Sequence, residues 1–527
     1  MKRYLAIIAA LVAIVACKDL NDMNVNPTKS TDIDPSLLVT SAQFGPSQGF
    51  YEARNYLAFP GGFLNNWTGA WAVVTYGGYG KKYPTFSERP WRYFYQQIIT
   101  PIVIAVERTS DDPDLVNVHS AARLVRVENF LRLTDYYGDI PYSDVFRVYK
   151  DGTVNPVYDT QESIYKDMLK ECREAVAAFD SSKPSLNYDL YFDGDVEKWK
   201  RFGASLWLRI AMRLVRVEPQ LAKTETEAAI AAGLMQSNDD TALVKHDDVR
   251  SENGPGNGFS HTFIQDLREG TSPYQVTSEM VAAMEGDPRL TYLGRNYLSD
   301  GTDITEKLYD FVGKYVGQPA QNFSYSNRLP ELTLPDGTVA GRYTQYLTAS
   351  AWVSAADAPF IHLSYAETEF LRAEAALNGW QTGGTVEQHY KKGLVAAVKQ
   401  WDVYGVDQIP SDTKLETFAA SNVAAFITDK DRTAVLEEIN KQLWILHTLD
   451  PLEGWSNLRR TEMPSEYTVF KNLSPSTNES GGVRPTRMPY PLDEQKKNPL
   501  GYNAAIGRMG GKDDWTRPLW WQNGEYK

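Results

Sequence analysis

At 527 residues, 42% of them hydrophobic, the chain has material for a large core, arranged either as several average domains or as one large helical assembly. Its 54 Lys and Arg stand against 67 Asp and Glu, a formal charge of −13 that repels nucleic acid and anionic lipid head groups. Aromatic residues make up 12%, with 31 Tyr and 13 Trp, more than a core alone requires and of the kind that suits surfaces part apolar and part hydrogen-bonding.

The N-terminus reads as an address. Lys2 and Arg3 form a positive region, Leu5 to Val15 an apolar segment too short to span a bilayer, and Ile14-Val15-Ala16-Cys17 a lipobox. Residues 1–16 are thus expected to leave as a lipoprotein signal peptide, with Cys17 as the lipidated first residue and 17–33 as a polar tether. The alternative is an ordinary secretory signal with a coincidental cysteine, which the small Ala16 before Cys17 disfavours. The other cysteine is Cys172. With Cys17 acylated no intrachain disulfide can form, and Cys172 is expected to be a small buried hydrophobe.

A scaffold of helices is predicted over 34–245. Asp34-Pro35-Ser36 supplies a cap and first turn for a helix through Phe44. Phe59 to Tyr83 mixes Gly61, Gly62, Gly69, Gly77, Gly78 and Gly80 with Trp67, Trp71, Tyr76 and Tyr79, and is expected to be partly exposed, adaptable loop. Helical patterns follow at Trp91–Arg108, Ala121–Tyr137, Ser163–Phe179, Trp199–Val217 and around Thr224–Ala232. In the second of these Leu124, Val127, Leu131 and Phe130, Leu133, Tyr137 recur at helical steps, then Gly138 and Pro141 impose a stop. Trp199, Phe202, Leu206, Ile210, Leu214 and Val217 form an apolar stripe, whereas Arg209, Arg213 and Arg216 share another face, expected to be solvated.

Residues 246–354 change character. Gly254-Pro255-Gly256-Asn257-Gly258, Thr271-Ser272-Pro273-Tyr274, Gly286-Asp287-Pro288-Arg289 and Gly317-Gln318-Pro319 punctuate an irregular insertion in which Ser278–Glu285 is clearly helical. Helical periodicity returns over 355–463: Leu363, Ala366, Phe370, Ala373, Leu377 and Trp380, then, after Gly383-Gly384, Tyr390, Leu394, Ala397 and Trp401, as in an antiparallel hairpin. Val435–Leu449 is a further helix, and 464–527, rich in Pro, Gly and Asn, is expected to wrap around the rest.

Five stretches together carry a resemblance: LTDYYGDIPYSD, WKRFGASLWLRIAMRL, FLRAEAALNGW (Phe370–Trp380), EGWSNLRRTEMP (Glu453–Pro464) and RMPYPLDEQKKNPLGYNAA (Arg487–Ala505). In this order, across nearly the whole chain, they resemble successive motifs of the SusD/RagB nutrient-binding outer-membrane lipoproteins, in the SusD-like branch. The resemblance implies a mostly α fold, a tetratricopeptide-like helical scaffold with a loop-rich insertion and a C-terminal wrap. It further implies capture of an oligomeric nutrient, usually a glycan, on a TonB-dependent transporter. The tetratricopeptide period of about 34 residues does not visibly recur, so that element rests on the resemblance. It assigns no individual binding residue, because ligand positions vary within the family.

The residues themselves suggest no catalyst. His119, His246, His261, His362, His389 and His447 are scattered, and HExxH and Walker A patterns do not occur. Asp193-Gly194-Asp195 and Asp300-Gly301-Thr302-Asp303 read as turns rather than calcium loops. No catalytic residue, metal or cofactor is therefore expected. Flat rings stack on the apolar faces of sugars and amides satisfy hydroxyls, so the candidate ligand-binding residues are Asn66, Trp67, Trp71, Tyr76 and Tyr79, with Tyr274 and Trp352 in the insertion. The competing reading of Trp67 and Trp71, at i and i+4, is core. The expected function is a cell-surface lipoprotein that captures an oligosaccharide or other oligomeric nutrient, anchored to the outer membrane by lipid, and hands it to a TonB-dependent barrel. A glycan-hydrolysing helical enzyme and a peptide-binding or protein-interaction scaffold are the alternatives.

Overall fold

The computed structural model describes residues 33–69, 73–152, 155–251, 254–268, 274–319, 329–470 and 479–523. The signal segment, Cys17 and Trp71 lie outside them. Order begins where the capping signal falls: Asp34 accepts from the Ser36 backbone N–H at 2.9 Å, and Pro35 fills a first-turn position that needs no N–H. Helix α1 (Pro35–Gln48) runs a turn beyond Phe44 and is followed by α2 (Phe50–Ala58).

Four helices then pack each on the next: α4 (Val116–Tyr137), preceded by α3 (Thr100–Thr109), then α5 (Gln161–Ala178), α6 (Val196–Arg213) and α7 (Pro219–Ala232). Helix α4 is covered by α1, α3, α5 and α6, so it buries polar Glu128, Asn129, Arg132 and Asp135 together with Leu124, Val127 and Phe130. It stops at Gly138, whose φ of 89° and ψ of −124° suit a residue without a Cβ; such an atom would sit 3.2 Å from Leu519. Cys172 on α5 is fully buried, and burial pushes its thiol pKa far up.

The insertion holds more regular structure than its glycines and prolines suggested. Asn257 caps α8 (Gly258–Arg268) by accepting from the Phe259 and Ser260 N–H groups, so this turn-rich pentapeptide is a helix start rather than only a loop. Helix α9 (Thr305–Val312) follows. The strands are short: β1 (Trp67–Thr68), β2 (Ile140–Pro141), β3 (Tyr158–Asp159), β4 (Ala242–Val244), β5 (Gln275–Val276), β6 (Gly294–Arg295), β7 (Leu332–Thr333), β8 (Val339–Ala340), β9 (Thr348–Ala349) and β10 (Phe360–Leu363). Antiparallel pairs join β2 to β3, β4 to β10 and β7 to β8, while β1, β5, β9 and β6 form one four-stranded sheet in that order.

Beyond the insertion α10 (Tyr365–Leu377) and α11 (Val386–Lys399) form the expected hairpin, with Ser364 and a Thr385–Gln388 capping box at their starts. Gly393 keeps them close, since a Cβ there would meet the Phe370 ring at 2.8 Å. Helices α12 (Asp412–Phe426), α13 (Arg432–Leu446) and α14 (Pro451–Thr461) complete this half, and α6 packs on α10. A last helix, α15 (Pro499–Arg508), belongs to the C-terminal segment.

The basic stripe of α6 departs from expectation. Arg209 and Arg213 are buried, at 3% and 1% exposure. Arg209 forks onto both Glu367 oxygens at 2.6 Å, and Arg213 pairs with Glu453 and with Asp135. Arg132 bridges to Asp450 at 2.7 and 3.0 Å, and Arg460 to Glu374. The reason is topological: α6 is enclosed by α5, α7 and α10, which leaves its polar face no water and requires acidic partners on neighbouring helices. Arg216 alone of the three is partly exposed, 2.8 Å from Glu462. Burial pushes the Asp450 carboxyl up, but Arg132 outweighs it and the pKa ends lowered.

The glycine-rich aromatic stretch is likewise enclosed. Pro60–Leu64 is a short helix and Val73–Gly78 a single π turn packed against it. The glycines serve close approach rather than mobility: a Cβ on Gly77 would lie 2.3 Å from the Ala58 carbonyl oxygen and 2.9 Å from the Gly62 Cα.

Candidate functional site

The four-stranded sheet draws together parts of the chain far apart in sequence. Its register pairs Thr68 with Gln275, Gln275 with Thr348, and Thr348 with Arg295. Residues directly opposed across strands project to one face, so these four make a polar row over all four strands, while Trp67, Val276, Ala349 and Gly294 occupy the other face. Thr348 donates to the Arg295 carbonyl at 3.1 Å and the Gln275 amide to the Tyr343 carbonyl at 3.3 Å. Thr68 Oγ1 and Gln275 Oε1 are buried without a hydrogen-bond partner among the described residues.

Aromatic groups stand at the Arg295 end of the row. The Arg295 guanidinium lies 5.2 Å over the Trp352 ring and pairs with Glu306 at 3.2 Å. Tyr292 meets Trp352 edge-on at 6.5 Å, and the Tyr297 hydroxyl accepts from the Ala351 N–H at 2.9 Å. Burial raises the pKa of both tyrosines, so their hydroxyls stay protonated. The arrangement sets acceptors and donors along one row with part of an indole ring at its Arg295 end, groups of the kind that hold a polyhydroxylated ligand.

Most of the sequence-predicted site residues converge on this sheet, though not as exposed rings. Trp67 is fully buried, its indole N–H donating to the Thr448 carbonyl at 3.0 Å and its ring against Phe263. Asn66 donates to the Thr448 hydroxyl at 3.3 Å, so both residues fasten β1 to the scaffold turn His447–Leu449. Tyr76 is stacked between Phe59 and Tyr83, and buried Tyr274 abuts Phe263. These enclosed rings present no free face to a sugar in this form. Tyr79 and Trp352 are half-buried. Thr68, Gln275, Arg295 and Tyr297 were not read from the sequence; two-residue strands carry no alternation that could have flagged them.

Among the described residues Glu367, His447 and Glu453 come within 4.8 Å of one another. Arg209 and Arg213 already hold both carboxylates, so guanidinium groups balance this charge.

Paired helices around a buried ionic core, with a small sheet carrying a largely buried row of polar side chains, define a helical scaffold. The chain belongs to the SusD-like family: a family model described as "Starch-binding associating with outer membrane" matches residues 27–491. A solved chitin-binding protein is 31% identical, covering 93% of this chain and all of its own, with a TM-score of 0.79. A SusD-like protein designated Bacteroidetes AC2a is 28% identical over 93% of this chain and all of its own, at 0.84. A chitin-binding SusD homologue from Flavobacterium johnsoniae, 22% identical over 94% of this chain and all of its own, shares the fold at 0.71. No curated protein matches the chain. No described helix is long and apolar enough to cross a membrane.

Proposed function

We propose that this protein is a glycan receptor of the outer membrane that captures an oligosaccharide over the β1–β5–β9–β6 sheet and passes it unaltered to a TonB-dependent barrel. The observation that supports the reading is the polar row, in which buried Thr68 Oγ1 and Gln275 Oε1 have no hydrogen-bond partner among the described residues and whose opposite end holds Arg295 over Trp352, in a chain of a family described as starch-binding. Buried acceptors without donors are costly, and sugar hydroxyls would supply donors. Tyr79 and Trp352 are the aromatic residues retained for contact with the ligand, whereas Asn66, Trp67, Tyr76 and Tyr274 shape its floor. Trp71, outside the described residues, stays a candidate from sequence. Cys17 is the proposed lipid attachment point.

The test is calorimetry with chito- and malto-oligosaccharides, since relatives are described in terms of both chitin and starch. One series is expected to bind with an unchanged count of reducing ends over long incubation. Release of new reducing ends by pure protein favours the hydrolase alternative instead. Delivery is tested separately: mild detergent is expected to extract the protein together with a large barrel, and Cys17→Ala to release it from the membrane fraction.

A further inference from the structure

A cavity of about 270 Å³ lies where the end of α4, the start of α5 and the C-terminal segment meet, apart from the residues of the sheet site. Thirteen residues line it, among them Arg487, Arg508 and Arg517 against Asp139 and Glu162, and Asp513 pairs with Arg487. Arg487 is 1% exposed. Its Nε donates to the Tyr137 carbonyl at 2.9 Å and its Nη1 to Asp513, but Nη2 has no partner among the described residues. A buried guanidinium N–H left unpaired is expensive, and a carboxylate oxygen is the acceptor that best suits it.

The other groups are held ready. Arg508 donates to Asp139 and to the Tyr158 carbonyl at 3.0 Å, and Arg517 to the Met509 carbonyl at 2.5 Å, which fixes both side chains beside the opening. Asp139 accepts from the first N–H of α5, at Gln161, at 2.8 Å, so that helix end is already capped and the unmet donor is Arg487. Trp520 is half-buried, tied by its backbone N–H to Gln161 at 2.9 Å, with its ring 6.1 Å from that of Tyr165. An indole, an amide at Asn523 and a carboxylate at Asp139 beside a guanidinium make a wall for a hexose ring as well as an anchor for its charge.

We infer that this cavity is a second binding site, for a sugar that bears a carboxylate, with the carboxylate on Arg487 Nη2 and the ring against Trp520. The sugar half of this assignment rests on the glycan-receptor reading; the carboxylate half does not. The test is calorimetry and thermal melting of the folded full-length protein with glucuronate, glucose, acetate and sulfate. Glucuronate is expected to bind and raise the melting temperature, glucose and acetate to do neither, and Arg517→Ala and Arg487→Lys to weaken glucuronate binding about tenfold or more. Because Arg487→Lys disturbs a buried group, Arg517→Ala and Trp520→Ala on the exposed side keep the assignment testable. Binding of glucose as tight as glucuronate, of acetate or sulfate as tight as glucuronate, or binding unchanged in Arg517→Ala and Trp520→Ala, overturns it. Failure of every neutral oligosaccharide to bind while glucuronate still does removes the sheet-face reading and supports this site.

Discussion

The arginine face of α6 and the stretch Phe59–Tyr83 depart from expectation in the same direction for opposite reasons. One carries arginines, the other glycines and aromatic rings, and both compositions suggest surface. Arg209 and Arg213 on the one, and Gly62, Trp67, Tyr76 and Gly77 on the other, are interior, because what decides burial is how many elements surround a segment. In α6 the interior is made tolerable by acids arriving from α4, α10 and α14. In the glycine-rich stretch it is made possible by the absence of side chains at Gly62 and Gly77. Charge is accommodated by pairing, and backbone proximity by subtraction.

The largest effect that would sharpen this contrast is the loss of one partner from a buried pair. Glu374→Leu, which strands Arg460 at 0% side-chain exposure, is expected to lower stability by about 3–5 kcal/mol. Adding Arg460→Met is expected to recover much of it in denaturant titrations; no recovery would mean the guanidinium acts through more than its charge. Next comes acid. Burial, opposed by a hydrogen bond to the Ala358 carbonyl, lowers the His246 pKa from 6.5 to about 4. A folded pKa below the unfolded one means the stabilisation is present above pH 6.5 and is lost as pH falls through about 4, on the order of 3 kcal/mol in all. His119, lowered mainly by burial, adds in the same sense. Melting temperatures from pH 7 to 4 should fall accordingly, and His246→Asn should flatten the slope; an unchanged slope would assign it elsewhere.

Smaller effects are expected in the second region. Gly77→Ala is expected to cost about 1–3 kcal/mol, because a Cβ there meets fixed backbone rather than a side chain that can turn away. A neutral outcome would restore the adaptable-loop reading. Trp352→Ala, at the half-buried rim, is expected to change stability by about 1 kcal/mol or less yet weaken oligosaccharide binding about tenfold. A large fall in melting temperature with intact binding would make Trp352 a packing residue.

What was legible in the sequence was local. The cap at Asp34, the stop at Gly138 and the α10–α11 hairpin around Gly383-Gly384 follow from residues within a turn of one another, and the structure has them there. The polar row was not legible, because Thr68 and Gln275 become neighbours through tertiary pairing alone. Arg209 shows the same limit: its spacing on α6 revealed which side of the helix it occupies, but not that Glu367 would be waiting on that side.

The buried pairs also constrain the order in which the molecule can assemble. Arg132, Arg209 and Arg213 lie in the first half of the chain, while Asp450, Glu367 and Glu453 lie 318, 158 and 240 residues further on. An N-terminal half that collapsed before those acids emerged would have to enclose Arg132 and Arg209 without these partners, at several kcal/mol each, with Asp135 left to balance Arg213 alone. Premature compaction is therefore penalised until the second half is present.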